Sequence, residues 1–137
     1  MRKLLEIRFL SIIAISLMCV SCANNEKNCE AIADTFLNSY FKNDYKKALS
    51  LCDENLSIEI EKALNNFENL EEDIQKDLKE KSALVKTEIS EVIIQKDNKN
   101  YCIVKYNIFI PEVNGSITNS LILEKRDKEW KITALNV

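Results

Sequence analysis

The chain has 137 residues, with 19 basic and 22 acidic side chains; that mildly acidic balance leaves no cationic face for a phosphate backbone and argues against nucleic acid as a partner. It contains no histidine, one glycine and one proline. Imidazole-based catalysis, a glycine-rich phosphate loop and a long flexible active-site lid are therefore excluded, and there are no internal repeats.

The N-terminus reads as a leader. Arg2, Lys3 and Arg8 precede an apolar run from Phe9 to Val20, broken only by Ser11 and Ser16, and the run stops at Ser21-Cys22. A basic head, an apolar middle and a small-residue end are the order of an export signal. About a dozen residues in a helix reach roughly 18 Å, short of a ~30 Å hydrocarbon core, so a permanent transmembrane helix is not expected. A buried helix of the folded domain is the rival reading; the basic head and the Asn-rich stretch that follows suit export better. Leu17-Met18-Cys19-Val20-Ser21-Cys22 resembles the lipobox of bacterial lipoproteins, in which a small residue precedes the cysteine that receives diacylglycerol. Cys19 follows Leu17-Met18, where no small residue stands, so Cys22 is the expected lipid attachment site; ordinary cleavage with a free or disulfide-bonded Cys22 is the alternative. One acyl chain, at ~0.8 kcal/mol per buried CH₂, holds a membrane marginally, whereas two or three hold durably. Ala23 is not aspartate, so the resemblance implies the outer membrane in a cell that has two, with the membrane as partner through the lipid.

Three segments follow: residues 1–21 as signal, 22–28 as lipidated cysteine and polar tether, and 29–137 as a single domain. The first 21 residues hold three basic and one acidic side chain, so the mature chain keeps 16 and 21, a charge of −5. Of its cysteines, Cys29, Cys52 and Cys102 have no metal-ligand spacing, and no cofactor is expected. An exported domain permits one intramolecular disulfide, Cys52–Cys102 or Cys29–Cys52, against the alternative of three buried thiols.

Within the domain, Ile32, Phe36, Leu37 and Tyr40 share one helical face over Cys29 to Phe41, and Lys42-Asn43 breaks the pattern. Asp44 is placed to cap a second helix, Tyr45 to Leu51. Ser57 is placed to cap a third, running to about Glu80, with Ile60, Leu64, Phe67, Ile74 and Leu78, and Leu70 between, at spacings of three and four. The opposite face, with Glu61, Lys62, Glu72 and Lys76, reads as solvated. After Ser82 come four strand-like segments: Leu84 to Gln95, Tyr101 to Val113, Ser116 to Lys125 and Glu129 to Val137. Turns fall at Lys96 to Asn100, at Asn114-Gly115, which predicts a two-residue hairpin, and at Arg126-Asp127-Lys128. Short turns imply an antiparallel meander. In the second strand Cys102, Val104, Tyr106, Ile108 and Ile110 share one face, and Ile103 and Phe109 the other, so both faces are partly apolar. Pro111 marks an edge or a bulge.

Three pieces carry a family resemblance: Ala33-Asp34-Thr35-Phe36-Leu37; Lys42-Asn43-Asp44-Tyr45-Lys46-Lys47-Ala48; and the terminal Asp127-Lys128-Glu129-Trp130-Lys131-Ile132. Together they resemble small bacterial lipoproteins of the nuclear transport factor 2-like (cystatin-like) superfamily, of the type common in Bacteroidetes. Glu129 stands where that family more often has glycine. The resemblance implies an α+β roll, with N-terminal helices packed on a curved four-stranded meander and a cone that enzymatic members equip with acid–base residues. No such pair is recognisable here, and Val113-Asn114-Gly115 is only a fragment of the cystatin inhibitory hairpin. The expectation is a non-enzymatic envelope protein that binds a small apolar ligand in a cone lined by Phe36, Tyr40, Tyr106, Phe109 and Trp130. The alternative is an interaction subunit of an envelope complex using the exposed sheet face, with these aromatics as plain core.

Overall fold

A computed structural model describes residues 24–135; the signal segment and Cys22 lie outside the described residues. The first helix, α1, spans residues 24–41, so the stretch 24–28 read as a tether is helical here. It contains neither glycine nor proline to stop the helix, and Lys125 Nζ donates to Asn25 Oδ1 at 3.4 Å. Cys29, Ala33, Phe36 and Leu37 form the buried stripe of α1. The helix ends as its sequence indicates: Asn43 takes a φ of 64°, and Asp44 N–H donates back to the Ser39 carbonyl at 2.8 Å.

Asp44 then caps α2, Tyr45–Ser50, its side chain accepting from Lys47 N–H at 3.3 Å. The third helix, α3, spans Glu54–Glu68. Its cap is Asp53, which accepts from Leu56 N–H at 2.9 Å, and not Ser57, whose hydroxyl donates to the Leu49 carbonyl at 3.3 Å. The single long helix expected as far as Glu80 is in fact two. α3 stops at Asn69, and α4 runs Glu72–Ala83. Gln75 Nε2 holds the break by donating to the carbonyls of Glu68 (3.0 Å) and Leu70 (2.7 Å), which the helix ending leaves without helical partners. Nothing on α4 is buried, and its apolar Ile74 and Leu78 are exposed.

Four antiparallel strands follow in sequence order: β1 Lys86–Ile94, β2 Tyr101–Phe109, β3 Ile117–Arg126 and β4 Glu129–Leu135. The expected α+β meander is present, and the sheet is open. Register shifts between Ile89 and Glu91 and next to Ile122/Leu123 bend its strands. Beside β4, Asp53 N–H donates to the Ile132 carbonyl and Ile132 N–H to the Leu51 carbonyl, each at 2.9 Å, which ties the α2–α3 joint to that strand.

The hairpins reverse the sequence expectation. Asn114-Gly115 does not form a two-residue turn: β2 stops at Phe109, β3 starts at Ile117, and residues 110–116 make a longer loop in which Glu112 and Gly115 have positive φ. Pro111 has no N–H for the ladder, so pairing cannot continue up to Asn114. The tight turn is Asp127-Lys128, with φ of 52° and 64° between the paired Arg126 and Glu129. Both positions are left-handed, the geometry that Asn-Gly satisfies best. Asp127→Asn combined with Lys128→Gly is therefore expected to raise stability by about 1 kcal/mol, measured as a higher urea midpoint at unchanged slope.

One sheet face and the helices make the core. Leu121, Leu123, Val104, Cys102, Tyr106, Trp130 and Ile132 pack against the buried stripe of α1 and against Leu56 and Ile60 of α3.

Candidate functional site

The aromatics expected to line a cone mostly fill the core instead. Phe36 is 1% exposed, Tyr106 4% and Trp130 5%, and all three belong to the core cluster. Tyr40 is half-buried, stacked on Phe36 with centroids 5.7 Å apart and edge-on to Phe41 and Tyr45. The Tyr106 hydroxyl has its partner in Asn119, and burial raises its pKa. Trp130 Nε1 is buried without a protein hydrogen-bond partner, and Lys125 Nζ stands 5.9 Å from its ring centroid. Phe109 is apart from these, 38% exposed on the opposite sheet face. A groove of about 470 Å³ does run between α1 and β1, lined by Lys27, Glu30, Asp34 and Glu88 together with Ala31, Thr87 and Ile89, and none of the five aromatics lines it.

All three described cysteines are buried free thiols. The Cys52–Cys102 disulfide is ruled out by topology. Cys52 bridges to Ile132, Ile132 faces Leu123, and Leu123 faces Cys102. Three strand spacings of ~4.8 Å separate them by roughly 14 Å, twice the ~7 Å limit for a disulfide. Cys102 instead neighbours Cys29 of α1 in the core, a pairing that cysteine spacing alone did not reveal. The Cys102 thiol beside it, followed by burial, holds the Cys29 thiol far above its ordinary range, and the Cys29 thiol in turn lowers Cys102. Burial, then the Asp53 carboxylate, pushes Cys52 up to about 12, with Lys131 opposing. No group of three or more metal-ligating side chains occurs among the described residues.

The shift at Cys52 has a definite sign. Its folded pKa lies above the ordinary 9.0, so from pH 9 to 12 the folded chain keeps a proton that the unfolded chain releases. Stability present below pH 9 is therefore lost as pH rises, by up to ~1.4 kcal/mol per pH unit. Urea unfolding at about pH 8 and pH 10 should show a steeper loss for the native chain than for Cys52→Ala, since the other titrating groups are common to both. Equal losses would remove Cys52 as the cause.

The outer sheet face carries the feature that the core does not use. Strand register aligns Ile93 with Ile103, Ile103 with Ile122 and Ile122 with Ala134, a row of apolar side chains crossing all four strands. Each is half-buried among its neighbours, and none joins the core cluster. Polar pairs border the row: Glu91 with Lys105 at 2.9 Å on one side, and the cross-strand partners Glu124 and Lys131 on the other. Farther along β2 the same face holds exposed Phe109, beyond the Thr118 hydroxyl that donates to Asn107 Oδ1 at 2.9 Å. Alternation along the second strand put Ile103 on this face; only the register between strands joins it to Ile93, Ile122 and Ala134 as a row.

No helix among the described residues is long and apolar enough to cross a membrane. No protein-family model and no curated protein matches the chain. Among solved structures it is similar to a crystal structure from Campylobacter jejuni named "Putative NTF2-like transpeptidase", with 16% identity and a TM-score of 0.49 over 78% of this chain and 98% of that one.

Proposed function

We propose that this is a non-enzymatic, lipid-anchored envelope protein whose domain binds a protein partner through the outer sheet face. The observation that carries the reading is the row Ile93–Ile103–Ile122–Ala134, which crosses the sheet outside the core. Phe36, Tyr106 and Trp130 are packed into the core, whereas an apolar row with a polar rim has the anatomy of a protein-binding surface. The non-enzymatic part is supported by the cysteines: every described thiol is buried away from any substrate, with Cys29 and Cys52 shifted up and Cys102 shifted down by the Cys29 thiol beside it. The anchor is supported by the residues around Cys22 and places the domain beside envelope components.

Single lysine substitutions at Ile103 and Ile122 test the binding surface. Each is expected to reduce recovery of a cross-linked partner from membranes at least tenfold while the domain keeps its native circular dichroism. Undiminished recovery with either lysine would move the partner site off the outer face.

A further inference from the structure

We propose that Cys29 and Cys102 are a disulfide-forming pair that locks α1 to the centre of the sheet, a feature separate from the partner surface. Shared burial and a nearby polar link place the thiols together. Cys29 and Cys102 are both 0% exposed within one core cluster, and each thiol shifts the titration of the other. One helical turn before Cys29, on the same side of α1, Asn25 accepts from Lys125. The Lys125 backbone N–H in turn donates to the Asn100 carbonyl at 2.8 Å, two residues before Cys102. Asn25 thus lies beside Lys125 and Asn100, one helical turn from Cys29 and two residues from Cys102, which brings the two cysteines to the same end of the α1–sheet contact. Cys52 is excluded from the pair, since its own thiol contacts the Ala48 carbonyl at 3.4 Å on the far side of β4.

The reaction takes two exchange steps with a low-molecular-weight disulfide as oxidant. One cysteine loses its proton and attacks the oxidant, forming a mixed disulfide and releasing one reduced thiol. The second cysteine loses its proton and displaces the other half, which leaves as a second thiol. Two protein S–H bonds have then become one S–S bond, and the oxidant has taken both electrons. Because both thiols are buried, the exchange proceeds during folding or through local opening of the α1–sheet contact. The bond closes a loop containing α2, α3, α4 and β1, and it ties the sheet to a point seven residues after Cys22 in sequence. A crosslink over so long a loop restricts the unfolded chain strongly.

The test uses the protein isolated from membranes, reduced and then equilibrated with oxidised and reduced glutathione. Free thiols are alkylated and the linked peptides mapped by mass. The expected result is one linkage, Cys29–Cys102, with Cys52 alkylated only after denaturation, and a thermal midpoint about 10 °C or more above the reduced form. Cys29→Ala should abolish that midpoint difference; Cys102→Ser is the second variant, with the same expectation. Cys29 and Cys102 both remaining alkylatable at an oxidising ratio, or a linkage through Cys52, would overturn the proposal. Lipid on Cys22 is read in the same mass map, so failure of the anchor and failure of the disulfide are told apart.

Discussion

Phe36→Ala is expected to cost the domain about 3–5 kcal/mol, a large share of the ~5–15 kcal/mol that holds a domain of this size together. Phe36 sits on the buried stripe of α1 between Ala33 and Leu37, is 1% exposed and stacks on Tyr40. Truncating it removes a ring's worth of contacts from a close-packed region whose far side is the rigid sheet, so the cavity cannot collapse fully. Ile103→Ala makes the contrast. Ile103 lies half-exposed on the other side of the same sheet, and its truncation should cost about 1 kcal/mol or less. Urea unfolding of both variants measures the difference. A cost under ~1 kcal/mol for Phe36→Ala would mean that it borders open space, and the ligand-binding cone would regain its place.

The second large effect concerns the anchor. Cys22→Ala is expected to move the protein from the membrane fraction almost entirely into the soluble fraction. The acyl chains proposed at Cys22 would supply membrane affinity at ~0.8 kcal/mol per buried CH₂, and no helix among the described residues is long and apolar enough to cross a bilayer. The acidic domain contributes no electrostatic attraction to anionic lipid. Cys19→Ala should leave the distribution unchanged. Fractionation of the two variants decides between them; a Cys22→Ala protein still in the membrane pellet would contradict lipid anchoring there.

Elements set by local chemistry were legible in the sequence. The α1 stripe, the Asn43 helix end, the Asp44 cap and the four strands follow from periodicity and short polar motifs within a few residues of one another. Elements set by competition between sites were not. The apolar period runs unbroken from Ile60 to Leu78, yet Gln75 captures the Glu68 and Leu70 carbonyls and divides the helix. Asn114-Gly115 carries the better hairpin dipeptide, yet Pro111 ends the ladder first, and the less favourable Asp127-Lys128 makes the tight turn. The candidate site divides in the same way. Phe36, Tyr106 and Trp130 were identifiable as inward-facing aromatics, but whether such residues line a cavity or fill it depends on side chains from other elements. The Cys29–Cys102 contact and the outer row both arise from how strands and helix align, and residue spacing within one segment carries no such information.

Site-specific photo-crosslinking in intact cells tests the binding surface most directly. A photoreactive residue at Ile103 or Ile122 reports the outer face, and one at Glu80, on the exposed helix α4, serves as control. The expected result is a discrete adduct of one partner from Ile103 and Ile122 that is absent at Glu80. Adducts of equal yield at all three positions, or none from the two isoleucines, would contradict it.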